Sequence, residues 1–411
     1  MTVTATSQRL GRLEFTALLA AVMASTALGI DLMLPAFADI RVEFGLAADS
    51  TAVAGIVTFY FVGIAVSQAL WGPVADRFGR KPTLYAGLAV YGLAATAAAL
   101  APSMGFLYVA RFLWGVGAAG PRVVAVSVVR DRFEGEEMAR AMSFIMAIFV
   151  LVPVVAPTLG VAILSVSSWH WVFGFCVLFA LSLGLWSRRL PETLHPEHRM
   201  ELEFARVARA ARFVVGNRQT LGYTLALTSL FGAFSSYLAS SEIIFGDVYD
   251  RADLFPFIFG GVAALMGLAM LANGLVITRV GLRRLVHGAM IGFIGVAIAQ
   301  YAVATASDGS PPFGIFVSLL GLQVVLYAVL FPNMNSIAMD PMGSVAGMAA
   351  AVIGLVSIAG GALLGSILDR AFDGTVIPFT FGWVIAGVAC AGFVLWAESG
   401  RLFKPLHDVT P

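Results

Sequence analysis

Two charged residues stand where charge is expensive. Asp31 lies in a long apolar run at about 13–37, and Arg111 lies in another at about 105–128. A charge near the middle of a bilayer costs about 2.5–3.5 kcal/mol on insertion scales, so each side chain is expected to face a protein interior or water. Asp31 is about six residues, or roughly 9 Å, from one end of its run. Arg111 is about six residues into a run of opposite direction, so the two are expected at one depth. Three readings of Asp31 stand. It binds a proton or cation, it forms a permanent ion pair with Arg111, or it caps and braces a helix. In the first reading, low dielectric favours the neutral acid and a nearby guanidinium favours the carboxylate. A carboxyl alternately near to and away from Arg111 would then take up and release a proton. One proton entering down about 100 mV supplies about 2.3 kcal/mol.

Arg122 follows Arg111 by eleven residues. Eleven helical steps of about 100° return to within about 20° of the same face, which Trp114, Gly115 and Ala118 share. The spacing predicts a cavity wall of Arg111, Trp114 and Arg122. Snorkelling of Arg122 toward an interface and core packing of Trp114 are the competing readings. Trp71, Trp169, Trp171, Trp186 and Trp396 instead fall near the ends of runs, as in an aromatic belt. Tyr60, Gln68, Tyr237 and Gln323 are further polar candidates for the cavity, and inter-helix hydrogen bonds account for them equally well. The net charge of this set is near zero or positive, which predicts neutral or zwitterionic ligands over strong dications.

These residues need long helices to position them. Hydrophobic types make up 59% of the 411 residues and charged types 12%, about half the usual ~25%. This excludes a disordered chain, a nucleic-acid binder and a disulfide scaffold. Twelve apolar runs can be drawn, each near the roughly 20 residues that span a bilayer. The expected fold is an all-α polytopic membrane protein with twelve transmembrane helices in two six-helix, pseudo-symmetric bundles. The longest polar connection, 188–218, divides the chain into an N-terminal bundle at 1–188, a linker at 189–218 and a C-terminal bundle at 219–411. Within the linker, Glu201–Phe213 carries Phe204, Val207, Ala208 and Ala211 at helical spacing and predicts a short helix lying on the membrane. Of the 25 Lys and Arg, 20 fall on the connections of one side and three on the other. Both termini are therefore expected in the cytoplasm. The polar segment Met1–Arg12 and the acid in the first run predict a retained span and not a signal peptide. Cys176 and Cys390 read as buried thiols.

One segment recurs. Gly72, Asp76-Arg77 and Gly79-Arg80-Lys81 follow the second run, and Gly274, Arg279, Gly281 and Arg283 follow the eighth, 202 residues later. The first copy resembles the signature turn between the second and third spans of the major facilitator superfamily. That resemblance implies a conformational latch formed by Gly72, Asp76, Arg77, Gly79 and Arg80; a solvated basic turn is the plain alternative. Arg111 to Gly120 is similar to the family's arginine motif. Pro153, Pro157 and Gly160 look like its antiporter signature, with Ala156 and Val161 where that signature has glycines. Asp31-Leu-Met-Leu-Pro35, Val129-Arg130-Asp131 and Leu190-Pro191-Glu192-Thr193 narrow the resemblance to Bcr/CflA-like drug:proton antiporters, the bicyclomycin and chloramphenicol resistance branch.

The resemblance implies a secondary transporter in the cytoplasmic (inner) membrane. It would export small amphipathic drugs in exchange for protons by alternating access, with Asp31 and Arg111 in proton coupling. The rival reading is a uniporter or a proton symporter for a small metabolite. The expected partners are a drug-like small molecule, protons and the lipid bilayer, with no nucleic acid and a monomeric state. No Walker motif, no HExxH and no nucleophile–base set is visible, so neither an enzyme nor a cofactor nor a metal is expected.

Overall fold

The computed structural model describes residues 11–195, 197 and 204–403. Met1–Leu10 and Lys404–Pro411 lie outside this description, as do Glu201, Leu202 and Glu203 of the expected linker helix. Among the described residues all regular structure is helical. The first half contains α1 (Arg12–Asp31), α2 (Phe37–Glu43), α3 (Ala54–Phe78), α4 (Arg80–Ala99), α5 (Met104–Arg132), α6 (Gly135–Leu164) and α7 (Trp169–Trp186). A linker helix, α8 (Phe204–Gly216), follows. The second half contains α9 (Arg218–Ile243), α10 (Phe255–Val280), α11 (Leu282–Ala306), α12 (Phe313–Met339), α13 (Ala346–Asp369) and α14 (Ile377–Ala397).

Eleven helical stretches among the described residues are long and apolar enough to cross a membrane. α9 is the twelfth long helix, with 26 residues. Its Thr220, Thr224, Ser235, Ser236 and Ser241 dilute its hydrophobicity, yet all five are buried. A helix enclosed by α10, α12, α13 and α14 needs no apolar surface for lipid.

The first run is not one uninterrupted helix. Pro35 has no N–H for the carbonyl of Asp31 four residues back, and its ring crowds that carbonyl. The α-helix accordingly ends at Asp31, a 3-10 turn covers Leu34–Ala36, and α2 continues the span. Asp31 was expected inside a continuous helix; it stands at a break.

Without a hydrophobic force between helices in lipid, close approach does the packing. A Cβ at Gly63 of α3 would lie 2.1 Å from the Phe112 carbonyl oxygen, and one at Gly115 of α5 would lie 2.1 Å from that of Tyr60. The two backbones touch, so α3 and α5 cross as a rigid pair. Across the halves, α3 packs on α13 and α6 packs on α10. The repeated turn is also present in three dimensions. Gly79 between α3 and α4 has φ +104°, and Gly281 between α10 and α11 has φ +86°. We call the end of the bundle that carries these turns the basic end.

α8 falls where the linker was expected to be helical, and it packs against α13 and α9 with Val214 buried. The side chains of residues 204–208 and 210 lie outside the description.

Candidate functional site

Asp31 is 4% exposed and makes no hydrogen bond or ion pair with any described residue. The helix break beside it, Leu34–Ala36, packs against α6 of the first half and α9 of the second, at the seam between the halves. The neighbouring backbone is fixed by α6, where a Cβ at Gly160 would sit 2.3 Å from the Leu32 carbonyl oxygen. Only a glycine lets α6 reach the break so closely. Pro157 and Pro153 lie about one and two turns before it in α6.

The structure does not pair Asp31 with Arg111. The Nη1–H of Arg111 donates to the Gly29 carbonyl oxygen at 2.9 Å, and its Nε–H donates to that of Ile56 at 3.2 Å. The guanidinium lies over the rings of Tyr60 and Trp114, 4.3 and 4.6 Å from their centroids. Equal depth along two helices did not bring equal direction around them.

The expected wall of Arg111, Trp114 and Arg122 is divided for a related reason. Tyr60, Tyr91 and Phe173 pack edge-on around Trp114, with ring centroids 6.1, 5.3 and 5.4 Å away. They fill the space beside it, and Arg111, Trp114 and Tyr60 are all fully buried. The Tyr60 hydroxyl donates to the Thr26 carbonyl oxygen at 2.9 Å. Gln323 is buried inside the second half and donates to the Phe293 carbonyl oxygen at 3.2 Å. Tyr237 is buried between Phe234 and Phe259, and its hydroxyl has no hydrogen-bond partner among the described residues. These five do not line an open cavity in this conformation.

Gln68 and Arg122 do. They share a cavity of about 950 Å³ with Gly72, Asp76, Val126 and Arg130 of α3 and α5, and with Gly347 and Met348 of α13. It lies between the halves at the basic end. At its inner end the halves close. Gln68 lies against Gly354 of α13, and Phe61 meets Phe231 edge-on at 5.1 Å.

The opposite end is shut. Arg41 of α2 and Glu242 of α9 form an inter-half ion pair of 2.6 Å, and Arg41 Nε–H also donates to the Ser50 carbonyl oxygen. In the turn after α9, burial raises the Asp247 carboxyl above its ordinary range, with Arg41 opposing the shift.

The turn after α3 forms a cluster around Arg80. Its guanidinium binds Asp76 at 2.6 Å and Asp131 of α5 at 2.8 Å. Glu192 accepts from the backbone N–H groups of Arg80 and Lys81 at 2.9 and 3.0 Å. It therefore caps α4, whose own cap residue, Gly79, has no side chain. A Cβ at Gly79 would lie 2.6 Å from that carboxylate. Arg77 is exposed and lies over the Phe78 ring, outside this cluster, and Gly72 faces the cavity. These bonds join the first half to the start of the linker, at Glu192, and none of them reaches the second half. The second copy repeats the plan, with Glu398 accepting from Tyr223 at 2.7 Å and paired with Arg283.

Two buried carboxylates, Glu398 and Asp369, carry no expectation from the sequence. Asp369 ends α13 and accepts from Ser236 and Ser240 of α9 at 2.6 and 2.8 Å. α13 runs as far as Asp369 and so carries it into the bundle.

The Major Facilitator Superfamily matches residues 19–363. A bicyclomycin resistance protein homolog of Haemophilus influenzae is 29% identical over 358 residues, covering 86% of this chain and 88% of that protein. The chloramphenicol resistance protein CraA of Acinetobacter baumannii is 30% identical over 223 residues, covering 54% of this chain and 52% of that protein. Among solved structures, a D-xylose-proton symporter superposes with TM-score 0.71 at 15% identity, covering 95% of this chain and 99% of that one.

Proposed function

The chain belongs to the Major Facilitator Superfamily, and from that premise we propose that it exports small amphipathic drugs in exchange for protons by alternating access. The cargo is neutral or zwitterionic and chloramphenicol-like. The protein works as a monomer in the cytoplasmic membrane, with both termini and the basic end on the cytoplasmic side. The moving bodies are the bundles 1–188 and 219–411, joined by 189–218. Resistance proteins among the relatives support a drug cargo.

The observation that carries the reading is Asp31. It is a buried carboxyl at a helix break, without a cation, on the seam that must open and close. A carboxylate there is costly unless a proton or a cationic group neutralises it. The cavity at the basic end admits cargo from the cytoplasm, while the Arg41–Glu242 pair keeps the far end shut. When that pair parts, water reaches Asp31 from the far side and a proton enters. The protonated acid no longer resists burial, the bundles rock back, and with the basic end open the proton leaves to the cytoplasm as fresh cargo loads. Asp31 thus makes the swing conditional on its load, which is the requirement for exchange. Arg111 serves by holding the helix that bears Asp31. The Arg80 cluster keeps the end of the first bundle rigid as it moves.

The test is drug uptake into everted vesicles under an imposed pH gradient. Wild type is expected to accumulate chloramphenicol and to collapse when a protonophore is added. Accumulation insensitive to the gradient would overturn the reading.

A further inference from the structure

We infer that Arg122 binds the acidic group of the cargo, so that the cavity accepts amphipathic organic molecules bearing a carboxylate, whether anions or zwitterions. This rests on the exporter reading and extends its substrate class from neutral and zwitterionic molecules to organic anions.

The charged residues lining the cavity are Asp76, Arg122, Arg130 and Arg209. The acid among them is engaged, since Asp76 holds Arg80 at 2.6 Å. Arg122 is half-buried, and the fully buried arginines of the described first half are engaged. Arg41 holds Glu242, Arg80 holds two carboxylates, and Arg111 holds two carbonyls. Arg122 has no hydrogen bond and no ion pair with any described residue. It lies ten residues before the end of α5 at Arg132, about 15 Å along the axis. That is deeper than a terminal basic residue of the kind that sets orientation.

Local packing turns it into the cavity. A Cβ at Gly117 would lie 2.3 Å from the Tyr91 amide nitrogen, and Pro121 presses on Gly87. α4 therefore covers the face of α5 that carries Gly117 and Pro121. Arg122 is one step, about 100°, further round and faces the open side. Val123, Val126, Met348 and Ala351 provide apolar wall around it. A planar guanidinium offers a fork of donors that matches a carboxylate, and a partly dehydrated setting strengthens the pairing. The apolar wall takes the rest of an amphipathic molecule. A dication meets only repulsion from Arg122.

The experiment uses the purified full chain in nanodiscs and two fluorescent probes, dansyl-phenylalanine and its methyl ester. They differ in one carboxylate. Wild type is expected to bind the acid more tightly than the ester. Arg122→Gln is expected to weaken the acid roughly ten- to a hundredfold, the range of a charged hydrogen bond, and to move the ester by less than about twofold. Arg122→Lys is expected to fall between. Equal weakening of both probes would reduce Arg122 to a packing role and overturn the inference, as would acid binding that Arg122→Gln leaves intact. If vesicles pump chloramphenicol under a pH gradient but the acid never binds, this inference fails and the exporter reading stands. If the acid binds through Arg122 but no gradient drives any efflux, the exporter reading fails and the anion site stands.

Discussion

Arg111 donates to the carbonyl oxygen of Gly29 at 2.9 Å, two residues before Asp31 on the same helix. It holds the backbone that bears the carboxylate and leaves the carboxylate alone. Its second bond, to Ile56 of α3, ties α1 and α3 to α5 at one point. The charge is spread over two carbonyls and two aromatic faces, and Asp31 has no ion pair with any described residue.

Arg111→Gln is therefore expected to lower stability by about 2–4 kcal/mol, from lost charged hydrogen bonds and cation–π contacts. The loss appears as a lower unfolding temperature of the purified protein. Asp31→Asn should change stability by the same amount in the wild-type and the Arg111→Gln backgrounds. A difference of more than about 0.5 kcal/mol between the two backgrounds would reveal a hidden ion pair.

Gly160 is expected to tolerate no side chain. Gly160→Ala places a Cβ 2.3 Å from the Leu32 carbonyl oxygen, and backbone cannot yield as a flexible side chain can. The cost is about 1–3 kcal/mol of overpacking, and it falls on the break that orients Asp31. Transport rate in vesicles should drop more than folded yield, and Gly160→Val should be worse than Gly160→Ala.

The Arg41–Glu242 pair closes one end, so Glu242→Gln should loosen it. In a Tyr237→Cys reporter, labelling by a membrane-impermeant thiol reagent from the far side should quicken severalfold. The exchange Arg41→Glu with Glu242→Arg should slow it again. Labelling unchanged by Glu242→Gln would place the closure elsewhere.

Glu192 caps α4 from a segment more than 100 residues away, through bonds of 2.9 and 3.0 Å. Glu192→Ala should cost about 1 kcal/mol, the usual worth of a helix cap, read as a fall in unfolding temperature. Gly79→Ala should cost more, because its φ of +104° and the 2.6 Å approach to Glu192 both oppose a side chain.

Composition and run length made the helical membrane fold legible, and the Gly79 turn and its second copy at Gly281 were legible from spacing. Asp31 stood out because a charge in an apolar run must be accounted for. Its helix break was written in Pro35, four residues on, but the apolar run concealed it. That Asp31 and Arg111 stay unpaired was not legible, because depth follows from counting residues while azimuth follows from packing. Aromatic rings decided that packing around Trp114, and they also withdrew Tyr60 from the cavity. Gln323 looked available for a ligand because nothing in one chain segment tells which neighbouring carbonyl a buried amide will find. Asp369 was missed because its partners, Ser236 and Ser240, are about 130 residues away.

The most direct measurement is pH-gradient-driven drug uptake into everted vesicles by Asp31→Asn, with folded yield checked by unfolding temperature. The account expects a folded protein that binds drug and accumulates none beyond the protonophore control. A full pH-driven gradient in Asp31→Asn would contradict it.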